Sequence, residues 1–308
     1  MSRIFVRRLA LGATLAITAL APVVAPQAQL RVVTSTTDLH DIAKAVGGSR
    51  ITATHISEGY QDPHFVEAKP SFILELRKAD VWAYVGLELE AGWMSLLLDG
   101  ARNSKVRAGG SGYIDVSKVI PVLDVPTSNV DRSQGDVHAR GNPHYWLSPT
   151  NGRRIAQLYR DRFSQLDPAG ASAYAANFRA FEARLDSAER AWAGLRAQIR
   201  GKPVVAWHTS WRYFADYSGM DIVGFMEPKP GVPPSPSHLA GLINTMKRTG
   251  AKVIIMEPYY DRKMADFVAA RTGAKVLILP PSVGATKAAT DYVTLIGGNL
   301  TQLAAAVR

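Results

Sequence analysis

The sequence predicts an α/β fold of two doubly wound parallel-sheet lobes joined by one long helix. Three observations carry this. Short β-rich runs alternate with helical segments in both halves of the chain, the pattern of parallel strands covered by helices. A helical stretch of unusual length, residues 169–199, separates the two halves. The chain has 308 residues, more than one simple core needs and enough for two lobes of ordinary size.

The first half opens with a strand over 30–35, followed by a helix from Asp38 to Gly47 with Thr37 or Asp38 as its cap. Ile51 to Ile56 reads as a strand. Pro70 to Lys78 reads as a helix with proline in its first turn. Val81 to Val85 is a fully apolar strand. A loop-rich stretch follows, with Gly109-Gly110-Ser111-Gly112 and then the polar, aperiodic run from Ser128 to Asn142, a candidate mobile loop. Ser148 to Leu166 is helical. In the next helix, Tyr174, Phe178, Phe181, Leu185, Ala188, Trp192, Leu195 and Ile199 recur every three or four residues and form one face. At 1.5 Å per residue it spans roughly 45 Å, the length of a strut between lobes.

The second half repeats the alternation. Strands are expected at 203–207, 222–226, 252–256 and 275–279. Helices are expected at 211–218, 235–249, 262–272 and 289–307. No strong internal sequence repeat accompanies this shared architecture. The expected division is a leader at 1–29, an N-terminal lobe at 30–168, a linking helix at 169–200 and a C-terminal lobe at 201–308.

The leader reads as an export signal. Arg3, Arg7 and Arg8 form its basic start, Leu9 to Ala21 its apolar stretch, and cleavage is expected near Ala25 to Gln29. The apolar stretch is too short to span a membrane, and the residues around Arg7-Arg8 fit the twin-arginine pattern poorly. The alternative is an uncleaved N-terminal anchor. The chain has no cysteine, which excludes disulfides and an acylated lipoprotein cysteine. These features place the protein in the periplasm as a soluble monomer. Hydrophobic residues make up 47% and charged residues 20%, which excludes a disordered chain. The formal net charge is +10. The leader carries three of those positive charges and no acid, leaving about +7 for the rest. The basic residues are scattered, with no dense Lys/Arg run, so nucleic acid is not an expected partner.

Chemistry points to the histidines. Of seven, His64, His144 and His208 stand where strands give way to loops. In open α/β sheets, ligands bind beyond the carboxyl ends of strands. Neutral imidazole is a common zinc ligand, and three of them with a carboxylate or water complete a tetrahedron. A lone histidine at a strand end is more often a hydrogen-bonding group, and the spacings match no local zinc motif. His40, His55 and His238 read as structural or surface residues.

Larger motifs add weight to the three. From about residue 31 onward, the chain resembles the cluster A-I solute-binding proteins, which serve zinc and manganese ABC importers. The resemblance rests on Asp62-Pro63-His64 with Glu67, Pro70 and Ser71, and on Asn142-Pro143-His144-Tyr145-Trp146-Leu147-Ser148-Pro149. It also rests on His208 with Tyr213-Phe214 and Tyr217-Ser218-Gly219, on Pro234-Ser235-Pro236, and on Val253 to Pro258. It implies a metal site between the lobes, with His64, His144 and His208 as ligands, and a membrane permease of an ABC transporter as partner. The family's fourth ligand, an aspartate after the last strand of the second lobe, is missing here. That place reads Leu279-Pro280-Pro281-Ser282-Val283. Glu257, Glu227 or water remain for the position. Glu257 is the preferred donor, its alternative being an acid that orients His208 or pairs with an arginine. His138 falls where related proteins carry a histidine-rich loop. It reads as a plain solvated residue, with transient metal pick-up as the other reading.

Imidazole-rich sites suit Zn2+ and harder oxygen donors suit Mn2+, so the expected cargo is Zn2+, with Mn2+ second. The protein is expected to capture and deliver metal, not to act as an enzyme. Two other readings remain. One is a zinc hydrolase, although HExxH, GxSxG and phosphate-loop signatures are absent. The other is a binder of an organic solute in a cleft lined by Trp207, Trp211, Tyr259 and Tyr260.

Overall fold

The computed structural model describes residues 29–128, 130 and 135–308. The expected leader therefore lies outside the described residues, except for Gln29. Among the described residues no helix is long and apolar enough to cross a membrane.

Two four-stranded parallel sheets form the framework. The first contains β1 (Leu30–Thr34), β2 (Ile51–His55), β3 (Val81–Tyr84) and β4 (Tyr113–Asp115), in the order β2-β1-β3-β4. The second contains β5 (Pro203–Ala206), β6 (Asp221–Phe225), β7 (Val253–Met256) and β8 (Lys275–Ile278), in the order β6-β5-β7-β8. The two orders are equivalent, so the shared architecture expected from the alternation extends to topology. β3 and β7 are buried along their whole length, as central strands of covered parallel sheets are.

Helices cover the sheets. The first lobe carries α1 (Thr37–Gly47), α2 (Pro70–Lys78), α3 (Met94–Ala101) and α4 (Pro149–Leu166). The expected long helix is α5 (Ala171–Ile199), 29 residues. The second lobe carries α6 (Arg212–Ser218), α7 (Pro236–Thr249), α8 (Lys263–Thr272) and α9 (Tyr292–Ala306). The periodic face of α5 is the buried one: Tyr174, Phe178, Phe181, Leu185, Trp192 and Ile199 all belong to the largest core cluster. That cluster runs from Val32 in β1 to Ala304 in α9, so the strut shares its core with both lobes.

Three details differ from expectation. The α1 cap is Thr36, extended at φ −126° and ψ 160°, with its side chain accepting from Leu39 N–H. The sequence points to Thr37 or Asp38, but Asp38 is wholly buried and bonded elsewhere. Helix α3 and strand β4 lie in the stretch read as loop. Finally, α9 packs chiefly against α5, touching β8 of the second sheet and α1 of the first lobe as well.

Candidate metal centre

Two of the three histidines lie on loops that follow strands, and the third, His144, departs from that expectation, since the preceding strand β4 ends at Asp115. Residues 56–69 leave β2 and carry His64, while His208 lies two residues beyond β5. His144 precedes the short helical turn Tyr145–Leu147 that leads into α4.

Two of the three positions share one local device. In Asp62-Pro63-His64, Asp62 Oδ1 accepts both the His64 backbone N–H (3.0 Å) and its imidazole Nδ1–H (2.7 Å). In Asn142-Pro143-His144, Asn142 Oδ1 accepts the His144 backbone N–H (3.0 Å) and its Nδ1–H (3.0 Å). A short polar side chain bonding two residues ahead is ordinary turn chemistry. Here it also locks the ring. His208 gets the same constraint from a distance, because its Nδ1–H donates to Glu227 Oε2 at 2.7 Å. Glu227 Oε2 also accepts Gly231 N–H at 3.2 Å.

All three acceptors require the proton on Nδ1, which leaves the Nε2 lone pair for another partner. His144 Nε2 and His208 Nε2 are buried with no hydrogen-bond partner. His64, His144 and His208 are each buried, and each offers a ligand atom within 4.8 Å of the other two. Their ring centroids stand 5.2 Å (64–144), 5.5 Å (64–208) and 5.1 Å (144–208) apart. An ion bonded at 2.0–2.1 Å to two imidazoles in tetrahedral geometry sets their centroids about 5 Å apart. The donor set and spacing therefore fit a tetrahedral ion, with a carboxylate or amide behind each ring as metal-binding histidines usually have.

The electrostatics follow from burial and these partners. Burial, reinforced by the neighbouring imidazoles of His208, His64 and His138, pulls His144 well below its usual value and keeps it neutral. Burial also works against protonation of His208, but the hydrogen bond and charge of Glu227 outweigh it and hold the ring above its usual value. Burial would raise Asp62, yet its bond to His64 more than offsets that and holds the carboxyl below the usual range.

Glu257 lies outside the three-histidine group. It is fully buried at the end of β7, where Oε1 accepts Ser210 Oγ–H at 2.6 Å and Oε2 has no partner. Burial raises its carboxyl to about 7. Glu227, the other carboxylate considered, serves His208 from behind. His138, read from sequence as a solvated loop residue, is only 9% exposed and sets its Nε2 3.1 Å from His64 Nε2. Its loop is tied to both lobes. Asp136 N–H donates to Pro230 O at 2.7 Å and Ala139 N–H to Glu88 Oε2 at 3.1 Å. No local motif marks His138. The repeated Asx-Pro-His is the signal that reveals Asp62 and Asn142 as orienting groups. His40 and His55 meet edge to face, 4.9 Å between centroids, and His238 Nε2 bonds Phe225 O at 2.9 Å, both as structural residues do.

Known proteins can now be set beside this geometry. Over 233 residues the chain is 27% identical to the manganese-binding lipoprotein MntA of Halalkalibacterium halodurans, covering 74% of this chain and 71% of that protein. Over 258 residues it is 25% identical to the high-affinity zinc uptake system protein ZnuA of Yersinia pestis, covering 79% and 80%. A crystal structure of ZnuA superposes with a TM-score of 0.76 at 24% identity, over 91% of this chain and all of that one, which shows the shared fold. Fold and relatives together define a metal-binding solute-binding protein of ABC metal transporters, a binding component and not an enzyme. The chain belongs to the family described as zinc-uptake complex component A, periplasmic, whose sequence model matches residues 32–306.

Proposed function

We propose that this protein captures Zn2+ in the periplasm and delivers it to the permease of an ABC importer. The observation that carries the reading is the set of three buried imidazoles, each with Nδ1 bonded from behind so that Nε2 is the remaining donor, unpartnered in His144 and His208 and met by His138 in His64. His64, His144 and His208 are the ligands. The fourth position is exchangeable. His138, 3.1 Å from His64 Nε2, is one candidate for it, and Glu257, whose Oε1 accepts from Ser210 while Oε2 has no partner, is the other. Three nitrogen donors with no carboxylate among them favour Zn2+ over Mn2+, although relatives of both names exist. On this reading residues 1–29 are a cleaved leader, 30–168 and 201–308 the lobes, and 169–200 the link.

Isothermal titration of the metal-stripped protein tests the proposal. One tight zinc per chain is expected, severely weakened in His64→Ala, His144→Ala and His208→Ala, with manganese displacing zinc only in large excess. Displacement at equal concentration would overturn the zinc assignment. Binding indifferent to the three substitutions would overturn the site.

A further inference from the structure

A cavity of about 370 Å³ adjoins the histidine cluster and is lined by two of its members, His64 and His208. An ion held at about 2 Å by its ligands needs no such space. The rest of the cavity wall combines the apolar Phe65, Trp207, Pro233, Pro234, Tyr260 and Met264 with the charged Asp62, Asp136, Glu227, Asp261 and Lys263. Trp207 and Tyr260 stack there, 5.1 Å between centroids and 21° from parallel. A hydrated ion gains nothing from an apolar, aromatic wall, whereas a flat organic molecule does.

Of the four carboxylates that line the cavity, Asp62, Glu227 and Asp261 have ion-pair partners. Asp62 and Glu227 serve the Nδ1 atoms of His64 and His208, and Asp261 pairs with Lys263 at 3.3 Å. Small-molecule sites have this character, a few hundred cubic ångströms with apolar walls and a few polar groups.

We propose that the cavity receives a small planar organic chelator, which enters with the metal and supplies the exchangeable fourth donor. The bound cargo is then a metal chelate held by three histidines on one side and by the Trp207–Tyr260 wall on the other. This rests on the three-histidine reading above. It also absorbs the organic-solute reading of the sequence, with Trp207 and Tyr260 in the wall and Trp211 and Tyr259 outside it.

The test uses picolinate, a flat ring carrying a nitrogen and a carboxylate donor. Metal-stripped protein is titrated with zinc alone and with zinc premixed one to one with picolinate. Retained picolinate is measured by ultraviolet absorbance after desalting. The expected result is one picolinate retained per zinc and zinc binding at least about fivefold tighter with picolinate, the lower end of ordinary site coupling. Met264→Lys, at a residue 44% exposed, is expected to bind zinc alone like the parent and to retain no picolinate, and Tyr260→Ala, which removes the stacking ring, is also expected to retain no picolinate. Zinc bound tightly but picolinate never retained would overturn the proposal and leave the three-histidine site intact. Picolinate retained without zinc would overturn the chelate in favour of plain organic-solute binding. Failure to bind zinc in either form would sink the histidine site itself.

Discussion

At the residue scale, the site is built less by its ligands than by what stands behind them. An imidazole on a loop can turn about two bonds and offer either nitrogen. Asp62, Asn142 and Glu227 each remove that freedom by accepting the Nδ1 proton. Asp62 and Asn142 do so from within their own turns, so backbone and ring are fixed by one oxygen. Glu227 does so across 19 residues of sequence, from the loop after β6. Removing such a partner typically costs 10–100-fold in metal affinity, because the ring loses both orientation and basicity. Glu227→Ala and Asp62→Ala are therefore each expected to weaken zinc binding by about 10–100-fold, read by competition with a chromophoric chelator. Ser210→Ala, which removes the hydroxyl bonded to Glu257, is expected to leave affinity near the parent value. A large loss in Ser210→Ala would instead make Glu257 a working ligand.

At the element scale, the fold was legible wherever an element was long or strongly patterned. The face of α5 could be read residue by residue, because an apolar side chain at every third or fourth position has one plausible fate. Pro70 marks the first turn of α2, whose span matches the expected 70–78. What escaped was short or weakly marked. Helix α3 has eight residues, no side-chain cap and Gly100 in its last turn; β4 has three residues just after a glycine-rich turn. Their identity is set by packing against Trp82 and Tyr84 in the first lobe, which no local pattern encodes. The three histidines that cluster in the structure stand in motifs visible in the sequence. His138 was not legible, since its burial depends on a loop pinned by Pro230 and Glu88, distant in sequence. The same logic bears on stability. Leu185 is fully buried at the middle of α5, in the core shared by both lobes. Leu185→Ala is expected to cost about 2–5 kcal/mol in urea unfolding, through lost burial and the cavity it leaves. A loss below about 1 kcal/mol, typical of surface changes, would mean that α5 is a tether and not a strut.

At the scale of the whole molecule, the chain beyond β8 returns to the first lobe. Trp146 Nε1–H donates to Pro281 O at 2.8 Å, and Tyr292 O–H donates to Trp146 O and Ser148 O. Tyr292 N–H donates to Asp41 Oδ2 at 2.9 Å, and Val283 N–H to Asp38 Oδ1 at 3.0 Å. Gly59 packs so closely on Val283 and Ala285 that an added Cβ would overlap their backbone. The segment that follows β8 is thus a clasp between lobes, and the clasp opposes wide opening. Asp38 makes it sensitive to pH. Burial raises its carboxyl from 3.8 to about 7, against the lowering effect of its bonds to Val283 and Ser282, and with Asp41 adding to the rise. Between those two values the folded protein holds a proton that the unfolded chain has released. Stability from this group therefore falls as pH rises from about 4 to about 7. Asp38→Asn keeps the shape and an accepting oxygen but cannot ionise. The variant is expected to gain stability relative to the parent steadily across that window and no further above it, as followed by urea midpoints of the metal-stripped proteins at each pH. Parallel pH profiles for the two proteins would mean that Asp38 ionises in the folded state as it does in water, and that the clasp does not sense protons through it.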